Sequence, residues 1–346
     1  MGGIGDRPLF SVCIPAYNRT QFLGPLLDSI LAQGHRDFEI LICEDDSPER
    51  ETIRAVAMDY AAKAGDVRVR YLENAANLGY DGNIRRLVHE ARGRYCFFMG
   101  NDDLMCPGAL ESVAAAIAAH PDVGFVLKGY AWFEGDAGNI RGTVRYVASS
   151  RLLEAGAGAV TFCFRRCGVI SGFIIERDPA DSVATGAFDG TLYYQMFIAG
   201  RVLLGRNAVA IPDILVLSRG DQPPEFGNSA SERADFVPGR YTPHARITML
   251  KGMLEIARAI QTTGAVEVYD RIVRDMSAHF YPYMRDQWKL PLAQYLRYYR
   301  ANMALGFGRT LYFHLYFLLV RAMGPRRFDG LTQWIRDRVG HTPHLG

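Results

Sequence analysis

Leu9-Phe10-Ser11-Val12-Cys13-Ile14-Pro15-Ala16-Tyr17-Asn18-Arg19 opens with an apolar run, closes it with proline and ends in a polar turn. A run of six residues without polar alternation suits a strand buried on both faces. Outward from it, Phe22, Leu23, Leu26, Leu27, Ile30 and Leu31 keep helical spacing across 19–33, with Asn18 as the expected N-cap. Strands follow at 38–43, 67–72, 95–99 and 123–127, and helices at 50–64 and 81–91. A further helix is expected from Pro107, at its first position, to residue 119. Alternating strands and helices predict an α/β fold with a mostly parallel sheet and helices on both faces. Beyond 130 the pattern is looser: strand pieces at 132–133, 143–147 and 169–175, helices at 152–164 and 189–200, then strand-like runs at 201–211 and 214–217.

Ligands of such sheets bind beyond the carboxyl ends of the strands. The first strand exits into Pro15–Arg19, the second into Glu44-Asp45-Asp46-Ser47 and the fourth into Gly100-Asn101-Asp102-Asp103. Adjacent carboxylates repel unless a cation neutralises them. A hard divalent cation shared with substrate phosphates does so, which points to a nucleoside-diphosphate site. The plain readings are capping turns at 44–47 and a loop before Pro107.

As an ordered set, these residues resemble the family 2 glycosyltransferases of the GT-A (Rossmann-like) fold. The resemblance is carried by Ser11–Arg19, Phe38–Ser47, Asn77-Leu78-Gly79-Tyr80, Asn83 and the run from Ala91 to Asn101-Asp102-Asp103. It covers roughly residues 8–220, and it is similar to the branch that builds bacterial surface polysaccharides, including abequosyltransferase-like enzymes. It implies that Pro15, Ala16, Tyr17, Asn18 and Arg19 line the base and ribose, and that Glu44 or Asp45 reads the base. Asn77, Gly79 and Asn83 would join the donor site. Asn101-Asp102-Asp103 matches the DXD motif, with Asn in place of its first acid. Asp103 would be the main ligand of Mg²⁺ or Mn²⁺ and Asp102 an accessory one that also contacts the donor. Arg219 would touch the diphosphate. Asp189, eleven residues before Gly200, would open a helix and act as catalytic base, with Asp178 and Asp181 as rivals. The implied reaction is a single inverting displacement on a UDP, GDP or dTDP sugar.

The chain has 346 residues with a formal net charge of +2. That near balance does not favour a nucleic-acid partner. It conceals an asymmetry. From Arg285 onward ten Arg or Lys face three Asp, a net of +7, so the first 284 residues carry −5. The six cysteines form no CxxC pair and read as buried thiols of a reducing compartment. The first six residues lack the apolar segment of a leader peptide, which suggests a cytoplasmic protein, peripheral on the inner membrane face if its tail docks there.

The expected division is a catalytic domain at 1–225, a mobile linker at 226–243 and a basic, amphipathic helical region at 244–346. Phe328, Leu331, Trp334, Ile335 and Val339 share one helical stripe. Such a helix suits an anionic membrane surface, packing on the catalytic domain, or a second copy in a homo-oligomer. The expected function is sugar transfer from a nucleotide sugar to a hydroxyl of a glycan or lipid-linked glycan. One alternative is a nucleotidyltransferase, which needs a Gly-rich basic loop after the first strand where this chain has Pro15–Arg19. The other is an inactive sugar-nucleotide-binding scaffold, which Asn101 and Phe188 favour.

Overall fold

The computed structural model describes residues 7–65 and 68–339. The readings at residues 1–6, at Val67 and beyond 339 lie outside them. The first half runs β1 (Phe10–Ala16), α1 (Thr20–Leu31), β2 (Phe38–Glu44), α2 (Arg50–Lys63), β3 (Arg68–Glu73), α3 (Gly79–Glu90) and β4 (Tyr95–Phe98). A short β5 (Leu104–Met105), α4 (Ala109–Ala119), β6 (Val123–Phe133), β7 (Ile140–Val144) and β8 (Arg151–Leu153) follow. Next come α5 (Ala157–Phe164), β9 (Phe173–Glu176), α6 (Arg177–Ser182), α7 (Tyr194–Val202) and β10 (Asn207–Arg219). Among the described residues six helices follow: α8 (Pro243–Gly264), α9 (Tyr269–Ala278), α10 (Tyr281–Asp286), α11 (Leu292–Ala304), α12 (Leu311–Met323) and α13 (Pro325–Val339).

The sheet order is β3-β2-β1-β4-β9-β6-β10-β5, with β7 on β6 and β8 on β10. The first four strands are parallel, as expected. The other half departs from the expected pattern, because β9 runs antiparallel between β4 and β6. The sheet is therefore mixed. This geometry sends β1, β2 and β4 out at the same edge.

Strand residues alternate between two cores. Val12, Ile14, Ile40 and Ile42 pack with Leu26, Ile30, Ile53 and Val113 of α1, α2 and α4. Cys13, Leu41, Phe98 and Phe125 face the other way, into one continuous apolar cluster that includes Leu250, Met253, Ile272, Phe280, Tyr295 and Phe313. The C-terminal helices thus share a core with the sheet. Each fully buried side chain of this size contributes roughly 1.5–3 kcal/mol. Residues 221–242 carry no regular helix or strand, yet Phe226 and Phe236 are buried against Leu192, Ala245 and Met249. All six cysteines are unpaired thiols, five of them buried.

Several local expectations are corrected. Asn18 does not cap α1: Asn18 and Arg19 both take left-handed φ, 53° and 62°, and Arg19 holds the cap position without a side-chain bond. Pro107 precedes α4, whose cap is Gly108 at φ 76°. Residues 151–153 form an edge strand before α5 starts. Asp189 opens no helix, because the turn around Gly190 (φ 87°) and Leu192 (φ 66°) delays α7 until Tyr194. The runs expected at 201–211 and 214–217 merge into the single strand β10 after α7 and a short turn.

Candidate active site

A cavity of about 320 Å³ lies where β1, β2 and β4 end, roofed by residues of the 221–242 segment. Such a volume is at the small end of ligand pockets. Pro15, Tyr17, Arg19, Asp45, Asn77, Gly79, Asn83, Asn101 and Asp102 line it. The other expected site residues, Ala16, Asn18, Glu44, Asp103, Asp189 and Arg219, do not.

Asp45 sits at the β2 exit and accepts from the Leu78 amide at 2.8 Å and from the Asn74 amide group at 2.5 Å. Burial pushes its carboxyl up to about 6 against the pull of those bonds. Asn74 also donates to Asn83, and Asn83 donates to the Cys43 carbonyl at 3.1 Å. One buried amide thus ties the exits of β2 and β3 to α3.

The neighbouring acid has a different task. Glu44 is fully buried and accepts from the Asp46 and Ser47 amides and from Arg50 Nε, at 3.0, 2.6 and 2.7 Å. It holds the turn and the start of α2. Glu44, expected as one of two candidates to read a base, does not line the cavity.

Asn77 Oδ1 accepts from the Gly79 amide at 2.9 Å, an Asx turn that starts α3. Gly79 has φ 76°, and a Cβ there would stand 2.6 Å from Ser229 Oγ and 2.8 Å from Glu232 Oε1. Glu232 accepts from the Tyr80 amide at 2.9 Å and the Gly227 amide at 2.7 Å. A carboxylate at the α3 N-terminus satisfies its free amides and its positive end. It also fastens the 221–242 segment over the cavity.

At the β4 exit, Asn101 donates to the Asn18 carbonyl at 2.9 Å and to Tyr17 O at 3.4 Å. That bond props up the two left-handed residues of the β1 loop. Asp102 pairs with Arg19, which also donates to the Pro223 carbonyl and lies 3.8 Å from Glu225. Burial raises the Asp102 carboxyl, opposed by Arg19. Arg19 is the one Lys or Arg among the cavity-lining residues.

Asp103 does not line the cavity. It accepts from Ser171 Oγ and from the Arg219 amide, the latter at 2.7 Å, and burial pushes it up to about 7. Buried Lys128 behind it is pushed down to about 7 by desolvation. Asp103, expected as the main metal ligand, is here a buried strut joining β4 to β10. Arg219 is also structural. Its guanidinium lies between the Phe22 and Phe133 rings, 4.1 and 4.6 Å from their centroids, and bonds the Asp102 carbonyl. Ala16 is buried in the β1–β2 register, and Asn18 offers only its carbonyl.

Asp189 makes a two-point ion pair with Arg85 of α3, 2.9 Å on one side, and does not line the cavity. Asp178 and Asp181 are likewise paired, with Arg7 and Arg177. Asp81, unanticipated, is buried and accepts from the Leu192 and Tyr194 amides at 2.8 and 2.9 Å. Three further residues escaped the sequence reading: Asn74, Glu225 and Glu232. Asn74 directly follows β3, so the strand-exit rule would have found it. Among the described residues no three His, Cys, Asp or Glu gather to hold a metal.

The comparisons give the class first. The S. aureus TarS 1-349 structure with UDP-GlcNAc aligns with 96% of this chain and 92% of its own, at TM-score 0.58 and 16% identity. The mannosyltransferase PcManGT from Pyrobaculum calidifontis, solved with GDP-Man and Mn²⁺, aligns at TM-score 0.52 and 16% identity over 96% of this chain and 88% of its own. The fold is the GT-A fold. Residues 11–177 match the family model Glycosyl transferase family 2, so this stretch is a family 2 glycosyltransferase domain. Abequosyltransferase RfbV of Salmonella typhimurium is 31% identical over 115 residues, 33% of this chain and 34% of that protein. The Escherichia coli UDP-Glc:alpha-D-GlcNAc-diphosphoundecaprenol beta-1,3-glucosyltransferase WfgD is 27% identical over 106 residues, 31% of this chain and 40% of that protein. The matches span less than half the length of these relatives.

Proposed function

We propose that the chain transfers a sugar from a nucleoside-diphosphate sugar to a hydroxyl of a glycan or lipid-linked glycan in bacterial surface-polysaccharide assembly. The observation that carries this reading is the convergence of three strand exits on one cavity that presents Asp45, Asn83, Arg19 and Asp102 together. Asp45 and Asn83 offer the hydrogen-bonding edge that a base or ribose requires. Arg19 offers the positive charge for a diphosphate.

Asp102 would hold a divalent cation in this cavity, and the other positions would come from phosphate oxygens, as Mg²⁺ prefers. Bound there, Mg²⁺ or Mn²⁺ would supply charge stabilisation to the departing diphosphate. The chain's own part is to orient the donor, release Arg19 from Asp102 toward the phosphates, and accept the proton of the incoming hydroxyl. We assign that last task to Glu225 instead of Asp189. The cavity's other carboxylates are engaged: Asp45 and Glu232 by backbone amides, Asp102 by Arg19. Glu225 lines the cavity with only the 3.8 Å contact to Arg19 and a 3.5 Å one from Asn228. Direct attack on the anomeric carbon inverts its configuration.

Thermal unfolding tests the donor site. UDP, GDP or dTDP with Mn²⁺ is expected to raise Tm, since a ligand at a hundred times its Kd stabilises by about 2.7 kcal/mol. A panel that leaves Tm unmoved with and without metal overturns the nucleotide reading.

We also propose that the tail docks on an anionic membrane surface. No described helix is long and apolar enough to cross a bilayer. α12 turns Phe313 and Val320 inward but leaves Leu311 70% and Leu318 58% exposed, with Leu315 between them. α13 exposes Leu331, Trp334 (53%) and Ile335 on one stripe. The tail's surplus of Arg supplies the matching charge. The chain should co-sediment with phosphatidylglycerol vesicles, and Leu318→Asp with Trp334→Asp should abolish this. Equal binding by the double variant, or none by wild type, refutes the docking. Sedimentation as a dimer that those substitutions split would assign the stripes to a second copy instead.

A further inference from the structure

A second cleft, of about 800 Å³, lies between the β8–α5 segment and α9. β8 pairs with Ala208–Ala210, at the start of β10, whereas the cavity's neighbour Arg219 ends that strand. The two share no lining residue, although Arg166 of the cleft and Gly168 of the donor cavity are only two residues apart. The cleft is distinct from the donor site.

Its charge does not balance. Asp275 on its floor accepts from both Arg165 and Arg166, at 3.0 and 3.1 Å. The Arg166 side chain is only 4% exposed and rests on the Phe162 ring at 4.4 Å. The same carboxylate also lies 3.5 Å from His279 Nδ1. Arg151, Arg271 and Arg274 line the same cleft and make no ion pair among the described residues. Of the two other acids there, Asp270 is spent on Arg309 at 2.6 Å, and Glu154 is exposed at the rim. Thr161 Oγ1, also on the wall, is buried without a hydrogen-bond partner.

We propose that this cleft binds a phosphate or diphosphate group of a ligand other than the sugar donor. Arginine forks match phosphate oxygens two at a time, and the Thr161 hydroxyl supplies a further donor. A bound anion would face the four lining arginines, Arg151, Arg166, Arg271 and Arg274, against three lining acids.

Titration calorimetry of the full chain with inorganic pyrophosphate tests this. Arg271→Glu/Arg274→Glu alters two exposed side chains and should leave Tm unchanged while weakening pyrophosphate binding at least tenfold. Arg151→Glu, across the cleft, should weaken it as well. Arg19→Glu, in the donor cavity, should leave this binding event in place. Three results overturn the proposal: no binding by wild type at millimolar pyrophosphate, loss in Arg19→Glu with retention in Arg271→Glu/Arg274→Glu, or an equal loss in Arg297→Glu/Arg300→Glu, a matched charge reversal elsewhere. None of these readouts depends on sugar transfer, so failure here and failure of the transferase reading are separable.

Discussion

Asp102→Ala is expected to lower sugar transfer by about a hundredfold to a thousandfold, the usual effect of removing one electrostatic anchor of a leaving group. Two losses coincide in this variant. The cavity loses the carboxylate that fits a divalent cation, and Arg19 loses the partner that holds it beside the diphosphate position. The protein should still fold, because the Asp102 carboxylate bonds a cavity-lining side chain and no backbone amide of the sheet. Asp103→Ala should behave differently. It removes the acceptor of the Arg219 amide and of Ser171, so its main effect is a lower Tm. Leaving such buried donors unpaired costs about 1–3 kcal/mol each. Transfer rate, metal titration and Tm measured side by side decide the matter. An Asp102→Ala enzyme with wild-type rate and metal response would remove Asp102 from the chemistry.

The second large effect is expected at Glu225. Glu225→Gln keeps the shape and removes the base, which should lower kcat about 10²–10⁴-fold with little change in the donor's KM. Asp189→Asn should stay within about tenfold of wild type, since it weakens a partly exposed ion pair with Arg85. The reverse pattern, with Asp189→Asn dead and Glu225→Gln active, would return the base to Asp189. That outcome would require the 186–193 turn to move its carboxylate into the cavity.

Much of this was legible in the sequence, for a physical reason. Parallel strands buried on both faces read as apolar runs, and their exits carry the polar residues, so Asp45 and Asp102 could be named from pattern alone, whereas Asn83, inside α3, came from the family resemblance. What pattern does not show is which way a side chain turns. Glu44 and Asp45 are adjacent, yet one feeds the turn amides and the other faces the cavity. Asp102 and Asp103 divide in the same way. The 221–242 segment looked like a linker because it is rich in Pro, Gly, Ser and charge. Its contribution comes through Phe226 burial and the Glu232 bonds to backbone, which span long stretches of chain and leave no local period. The antiparallel β9 was equally hidden, since a short apolar run carries no sign of its direction.

Asn101 ties the residue type at one strand exit to the backbone of another. Where the DXD pattern has an acid, this chain has an amide whose hydrogens are given to the carbonyls of Tyr17 and Asn18. An aspartate there would offer no hydrogen to those carbonyls and would set a negative charge against them. The left-handed pair Asn18–Arg19 would lose its prop, and with it the placement of Arg19 in the cavity. Asn101→Asp is therefore expected to loosen the β1 loop, so what position 101 accepts is set by a loop more than eighty residues earlier in the chain.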